Sequence, residues 1–477
     1  MKRMHDYIIV GSGASGSVLA HYLTQAGADV LLLEAGKRFT AATFPQNEMD
    51  ANAQLMWNGG MDLSRDAATL FIRGKVLGGG TIINQCLLDR FDDVALDDWR
   101  SATDVDFFRT QNMERHYDAV ESNLSLHYME KADWNRNAEL YVEGFEKLGL
   151  EWAPLRRGQS DCGTGNDCIV CLGGCPRKSK QSMLETFLPK AEKNGLKILA
   201  EFEVAEVVHG QQFVTVQGRH HGNPHSLYGR QVILAAGALG TTQLLLKAGV
   251  QKRLPALGRN FHCHPQWMTV GFFDEPVDSH KGAFQSVKSS DPRFRNWGFK
   301  LENVFAGPIA MSLLKPGYGF EHQHYMQRYR NMACIEVAVR DQAAGTLALS
   351  NKGRLVIDKP LSDGDRQRAN RGNQIVHDIF STLGAREIMT SPIQIALHLM
   401  GGCGIGSRAS DSVVNEQFQV HGLPRLRIAD SSIFPNAPGI NPSLSIMALS
   451  HRAAEILLAE AGVQPTTTAT RKQEQQA

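Results

Sequence analysis

Three groups of residues have types and spacings that bear chemistry. The first is Gly11-Ser12-Gly13-Ala14-Ser15-Gly16, directly behind the apolar run 7–10. A G-x-G-x-x-G in that place suits a dinucleotide. Gly11 permits a tight turn, Gly13 lets a pyrophosphate approach the backbone, and Gly16 lets the following helix pack on the strand. The phosphates then meet the positive end of the helix that opens at Ala14. Glu34 closes a second strand at the distance where a carboxylate accepts from a ribose hydroxyl. On their own these residues leave NAD and FAD both open.

The second group lies near the other end of the chain. His398 stands directly before Gly401-Gly402-Cys403-Gly404, and Asn441 is held extended by Pro442 at the start of a helix over 444–458. A histidine with a nearby amide can take a hydroxyl proton while holding the oxygen. Each residue also has a plain structural reading, His398 as a core histidine and Asn441 as a helix cap. The third group is Cys162, Cys168, Cys171 and Cys175, the last followed by Pro176 as in ferredoxin-type runs. Four thiolates there suit an iron–sulfur cluster or zinc, with free thiols or disulfides as the alternative. Cys86, Cys263, Cys334 and Cys403 are scattered and behave as small buried residues.

Strands are expected at 6–10 and 29–33, with a helix over 14–26 between them. The stretch 40–70 reads as an excursion over the surface. Gly78-Gly79-Gly80, after Val76-Leu77 and before Ile82-Ile83-Asn84, suits backbone that passes close to a flat or charged ligand. Helices are expected within 110–150 and from 181 to 188, strands over 197–207, and an antiparallel pair over 214–221 and 227–234. The buried strand 232–236 ends in Gly237 and leads into a helix. Residues 265–395 change character and read as a second, sheet-containing domain with a helix over 366–383.

The chain has 477 residues, with 50 Lys+Arg against 49 Asp+Glu and a net charge of +1. It is too long for one core, and the charge balance excludes nucleic acid as a partner. No apolar run spans a bilayer. The first strand begins within a few residues of Met1, which leaves no room for a signal peptide and makes the cytoplasm the expected location, export with a partner subunit aside.

Taken in order, residues 11–34, 74–84, 235–246 with 258–265, and 402–454 resemble the glucose-methanol-choline (GMC) family of FAD-dependent oxidoreductases. The resemblance implies an α/β chain, α+β overall, with a Rossmann-like FAD-binding domain (1–100, 180–265 and 395–462) and a second, sheet-containing substrate domain (266–394). A helical and cysteine-rich insertion (101–180) and a disordered tail (463–477) complete it. FAD contacts then fall on Gly11, Gly13, Ala14, Ser15, Gly16, Glu34, Ala35, Arg73, Gly78, Gly79, Gly80, Asn84, Val204, Ala236, Gly237, Asp430, Pro442 and Ser443. His398 corresponds to the family's active-site histidine and Asn441 to its His-or-Asn partner. His398 would take the proton of an alcohol substrate as hydride passes to flavin N5, giving an aldehyde or ketone. Thr81-Ile82-Ile83 stands where some relatives attach flavin through histidine, so FAD is expected non-covalent. The cysteine segment resembles that of the long-chain alcohol oxidase branch. An iron–sulfur cluster there would hand electrons to an acceptor protein, and its absence would leave oxygen or a quinone. Other readings are a non-redox lyase like the cyanohydrin-cleaving relatives, and a scaffold subunit. Phe284, Trp297, Phe305, Met311 and Tyr325 read either as core or as apolar substrate contacts, and the branch tilts the substrate towards hydrophobic alcohols.

Overall fold

The computed structural model describes residues 3–160, 162 and 171–463. Cys168 and the tail from 464 lie outside the described residues. Two large sheets carry the architecture. In the first, the opening strand Met4–Val10 lies between Val30–Leu33 and Asn223–Leu234, parallel to both, with Val10 opposite Leu33 and Leu234. Lys197–Leu199 and Leu423–Ile428 extend it on either side, again in parallel. Parallel strands are covered on both faces, so Ile8, Ile9, Leu32, Val232 and Ile233 are all buried. The helix Ala14–Gln25 covers this sheet and is itself covered by the closing helix Ser443–Glu460. Strands Phe202–His209 and Val214–His220 form an antiparallel extension of Asn223–Leu234.

The second sheet is built around Met332–Val339, every residue of which is buried. His262–Phe272 and Phe299–Asn303 flank it in antiparallel register. Its odd-numbered residues Ile335 and Val337 pack with Phe299 and Leu301 against the helices Arg136–Lys147 and Asp363–Thr382, through Tyr141, Phe145, Val376 and Phe380. Ser362 and Asp365 form a reciprocal cap at the start of the second of these helices. One face of the sheet is thus an apolar core, and the other carries a second apolar cluster around Met268, Met332 and Cys334 with the polar residues Glu302 and Glu336 beside it.

Two local expectations differ from the structure. The stretch 40–70 holds the helix Glu48–Leu55, and the strand Thr69–Phe71 just after it enters the second sheet in parallel with Gln394–Met400. Its partner is distant in sequence, so no local pattern announces it. The helix expected from 181 begins at Phe187 and runs to Lys193, after a series of turns.

The glycine motif separates two mutational outcomes. A Cβ on Gly16 would lie 1.9 Å from the Gly11 carbonyl oxygen, whereas one on Gly13 would meet nothing within 4 Å. Gly16→Ala is expected to lower unfolding free energy by about 2 kcal/mol or more, and Gly13→Ala to leave it nearly unchanged. Thermal or denaturant unfolding of the two variants checks this.

Candidate active site

Around Gly13 the chain brings backbone, not side chains, to one place. Gly11 has φ +103°, and a Cβ there would lie 2.4 Å from the Ala235 carbonyl oxygen. Gly79 has φ +56°, and its Cβ would lie 2.8 Å from the Gly13 Cα. The two glycine loops therefore touch, and Gly13 and Gly80 leave open space beside them. Ser12 ties the parts together. Its hydroxyl donates to Glu34 (2.6 Å) and accepts from the Gly78 N–H (2.9 Å). Glu34 also accepts from the Ser12 and Gly36 amides. Burial pushes its pKa up, against the lowering effect of these bonds. The helices that begin at Ala14 and Ser443 carry no side-chain cap and no acidic residue in their first turns. Two unfilled helix N-termini, an open glycine floor and a buried carboxylate fit the pyrophosphate and ribose of a dinucleotide.

The other expected contacts are distributed as follows. Ala236 and Gly237 open the helix Gly237–Lys247, and Pro442 and Ser443 open the closing helix. Asp430 accepts from the Gly237 N–H (2.8 Å), Thr241 Oγ1 (2.5 Å) and the Ser432 N–H (2.9 Å), so both its oxygens hold protein donors. Ser15 Oγ donates to the Ala429 carbonyl. Ala35 is half-buried beside Glu34, and Val204 lies two residues beyond Phe202, whose N–H donates to the Glu34 carbonyl. Asn84 Oδ1 accepts from the Cys86 N–H. Arg73 is bound to Asp62 (2.6 Å) and lies over the Trp57 ring.

His398 owes its direction to a β-bulge. In the pairing of His262–Phe272 with Gln394–Met400, Cys263 faces Leu399 and Pro265 faces Ala396. Leu397 and His398 thus stand opposite the single residue His264, which turns His398 onto the face that His264 occupies. The two imidazoles meet Nδ1 to Nδ1 at 3.0 Å. His264 Nε2 accepts from the Gly439 N–H at 2.9 Å, so the loop that carries Asn441 is fastened to the histidine pair. Burial, with the charge of Lys300 behind it, lowers the pKa of His398 to about 3. Burial, His398 and Lys300 hold that of His264 well below the usual value.

Lys300 was not legible in the sequence as a site residue, yet its Nζ donates to Asn441 Oδ1 at 2.7 Å and pairs with Glu302 at 2.5 Å. Glu302 stands opposite Glu336 on the neighbouring strand, and the Gln285 amide donates to both. Burial, reinforced by Glu302, raises Glu336 well above the carboxylate range, so it keeps its proton. Burial opposes the charge on Lys300, but Glu302 and Asp89 outweigh it and raise its pKa. The alternation Lys300-Leu301-Glu302 was the available signal for this polar face.

A cavity of about 1050 Å³ opens beside Lys300, Gly439 and Ile440, with Lys288, Arg295 and Arg340 among its charged walls. Phe284, Phe305, Met311 and Tyr325 belong to one buried cluster, and Trp297 packs on another beneath Arg371. They are core. Among the described residues Cys162, Cys171 and Cys175 are free thiols, and no three cysteine sulfurs gather within 4.8 Å. Buried Lys180 joins the Cys171 carbonyl (2.7 Å) to that of Ile82 (2.8 Å), against the turn after the second glycine loop. His116, His451 and Glu455 do converge, but the imidazoles hydrogen-bond to each other and Arg115 pairs with Glu455. No described helix is long and apolar enough to cross a membrane.

The chain is 27% identical to an uncharacterized GMC-type oxidoreductase, y4nJ, of Sinorhizobium fredii, over 98% of this chain and 97% of that one. It is 26% identical to a cholesterol oxidase of Acinetobacter baumannii, covering 96% and 95%. It is 25% identical to the long-chain-alcohol oxidase FAO4B of Arabidopsis thaliana, over 94% of this chain and 66% of that longer one. Pyridoxine 4-oxidase from Mesorbium loti shares the fold, with TM-score 0.75, 17% identity, and 94% and 98% of the two chains covered. Formate oxidase of Aspergillus oryzae also shares it, with TM-score 0.73, 16% identity and coverage of 97% and 99%. The two parts of the GMC oxidoreductase family description match residues 5–266 and 328–450, and with the glycine cradle and the His398 face in place, the chain belongs to the GMC oxidoreductases, as an FAD-dependent oxidoreductase.

Proposed function

We propose that this enzyme oxidises the CH–OH group of an alcohol to an aldehyde or ketone, with His398 and Asn441 meeting the substrate oxygen. The observation that carries the reading is the bulge that turns His398 onto the His264 face, fastened by Gly439 to the Asn441 loop. Bound FAD supplies the acceptor for the hydride of the CH–OH carbon. The glycine loops, Glu34 and the helix starts at Ala14 and Ser443 hold its pyrophosphate and ribose. Its attachment is non-covalent, because the turn after Gly80 offers Thr81, Ile82 and Ile83, and the Thr81 hydroxyl is occupied by the Gly78 carbonyl.

Two relatives act on hydrophobic alcohols by name, a long-chain-alcohol oxidase and a cholesterol oxidase. These names, with the resemblance of the cysteine segment, support a hydrophobic alcohol as the substrate of this chain. A cluster on Cys162, Cys168, Cys171 and Cys175 would stand against the second glycine loop through Cys171 and pass electrons singly to a partner. Without it, oxygen or a quinone meets the flavin directly.

In an anaerobic screen, long-chain and sterol alcohols are expected to bleach the flavin faster than polyols do. His398→Ala is expected to slow that bleaching by about 10²-fold or more while the bound flavin spectrum stays. An unchanged rate would remove His398 from the reaction. Acid precipitation should release the flavin into the supernatant, and yellow pellets would show a covalent bond. Absorption beyond the flavin bands that dithionite bleaches would reveal the cluster, and a pure flavin spectrum would remove it.

A further inference from the structure

We propose that His264 and Lys300 are positioning residues that make His398 and Asn441 two hydrogen-bond donors to the substrate oxygen. This rests on the assignment of that pair to the substrate hydroxyl. The Gly439 amide can only donate, so His264 Nε2, at 2.9 Å, is the bare nitrogen of that ring. His264 is buried to 2% exposure, and burial together with nearby His398 and Lys300 keeps it neutral. Its one proton is therefore on Nδ1. At 3.0 Å from His398 Nδ1 one partner must donate and the other accept, and only His264 has a proton to give there. His398 Nδ1 is thus bare, and the neutral ring carries its proton on Nε2.

The second arm has the same logic. An ammonium only donates, so Lys300 claims Asn441 Oδ1 as acceptor and leaves the amide NH₂ as the group with free hydrogens. Glu302, at 2.5 Å, keeps the ammonium charged inside the protein. Both directions are set by groups other than the two that meet the substrate oxygen. The proton abstraction expected of His398 from its residue type gives way to stabilisation of an oxygen that gains negative charge, as two N–H groups do for an oxyanion. The hydroxyl proton passes to solvent as the hydride of the same carbon leaves for the acceptor that bound FAD would supply, and the alkoxide-like oxygen becomes the carbonyl oxygen of the product.

Histidine ring nitrogens of the ¹⁵N-labelled holoenzyme, assigned by the signal lost in His398→Ala, report the tautomer without turnover. His398 is expected to show protonated Nε2 and unprotonated Nδ1, and a protonated Nδ1 overturns the proposal. In anaerobic flavin reduction, His264→Leu should slow the step by about 10²-fold at saturating alcohol, with little change in substrate affinity. His264→Gln can accept from Gly439 and donate to His398 in the same senses, and should rescue most of that loss. Equal rates for all three proteins, or equal losses in both variants, overturn the His264 arm. Asn441→Asp keeps an acceptor for Lys300 but removes the donor, and should fall as far as His264→Leu; an unchanged rate overturns the Lys300 arm. A wild-type flavin that no alcohol reduces would remove the alcohol-oxidation reading instead, and the nitrogen signals would still decide the tautomer.

Discussion

Backbone pressed against backbone is the condition for everything else in this molecule. The loop 11–16, the loop 78–80 and the end of the strand Asn223–Leu234 approach more closely than any Cβ allows, with Gly11 against Ala235 and Gly79 against Gly13. Close contact of that kind removes side chains from the middle of the site and leaves N–H groups and helix ends facing inward. The Ser12 hydroxyl then needs only two bonds to lock Glu34 and Gly78 to the same point. A side chain at Gly11 or Gly16 would displace strands as well as a binding loop, because these contacts seat the helix Ala14–Gln25 on its sheet.

The second sheet divides its labour by face. Ile335, Val337, Phe299 and Leu301 supply an apolar side that packs on two helices. Lys300, Glu302 and Glu336, one residue out of phase, supply a buried ionic side. Buried charges contribute little net stability, since desolvation offsets much of their attraction. A run of this kind in the middle of a sheet is therefore held in place by the apolar face, and its value lies in orientation. Glu336 keeps its proton and Lys300 its charge, which leaves each hydrogen bond in the row with a defined donor.

The sequence made legible whatever is written within about thirty residues. The opening strand, glycine turn, helix and second strand appear where their periodicity and punctuation place them, and the helix Asp363–Thr382 likewise. His398 stood out by its neighbours. Its orientation did not, because a bulge is a property of two strands and their register, more than a hundred residues apart in the chain. Lys300 was silent for the same reason, as its meaning comes from Asn441 and from the strand across from it. The strand Thr69–Phe71 hid inside a stretch without periodicity, being three residues long and paired with residue 394 onward. Phe284, Phe305, Met311 and Tyr325 read equally as core or as substrate contacts because core and pocket share large hydrophobic residues, and they lie in a buried cluster.

The order of the strands also governs when this protein can exist during its synthesis. Met4–Val10 leaves the ribosome more than two hundred residues before its neighbour Asn223–Leu234. The outer face of the helix Ala14–Gln25 waits for Ser443–Glu460, close to the last residues described. Such distant pairings form slowly, and their apolar surfaces stay open in the meantime. A nascent chain halted at residue 400 would hold every glycine of the cradle and His398 itself, but neither the cover for its first helix nor Asn441. The site is thus complete only when the closing segment, with Asn441 and the helix Ser443–Glu460, has joined the rest.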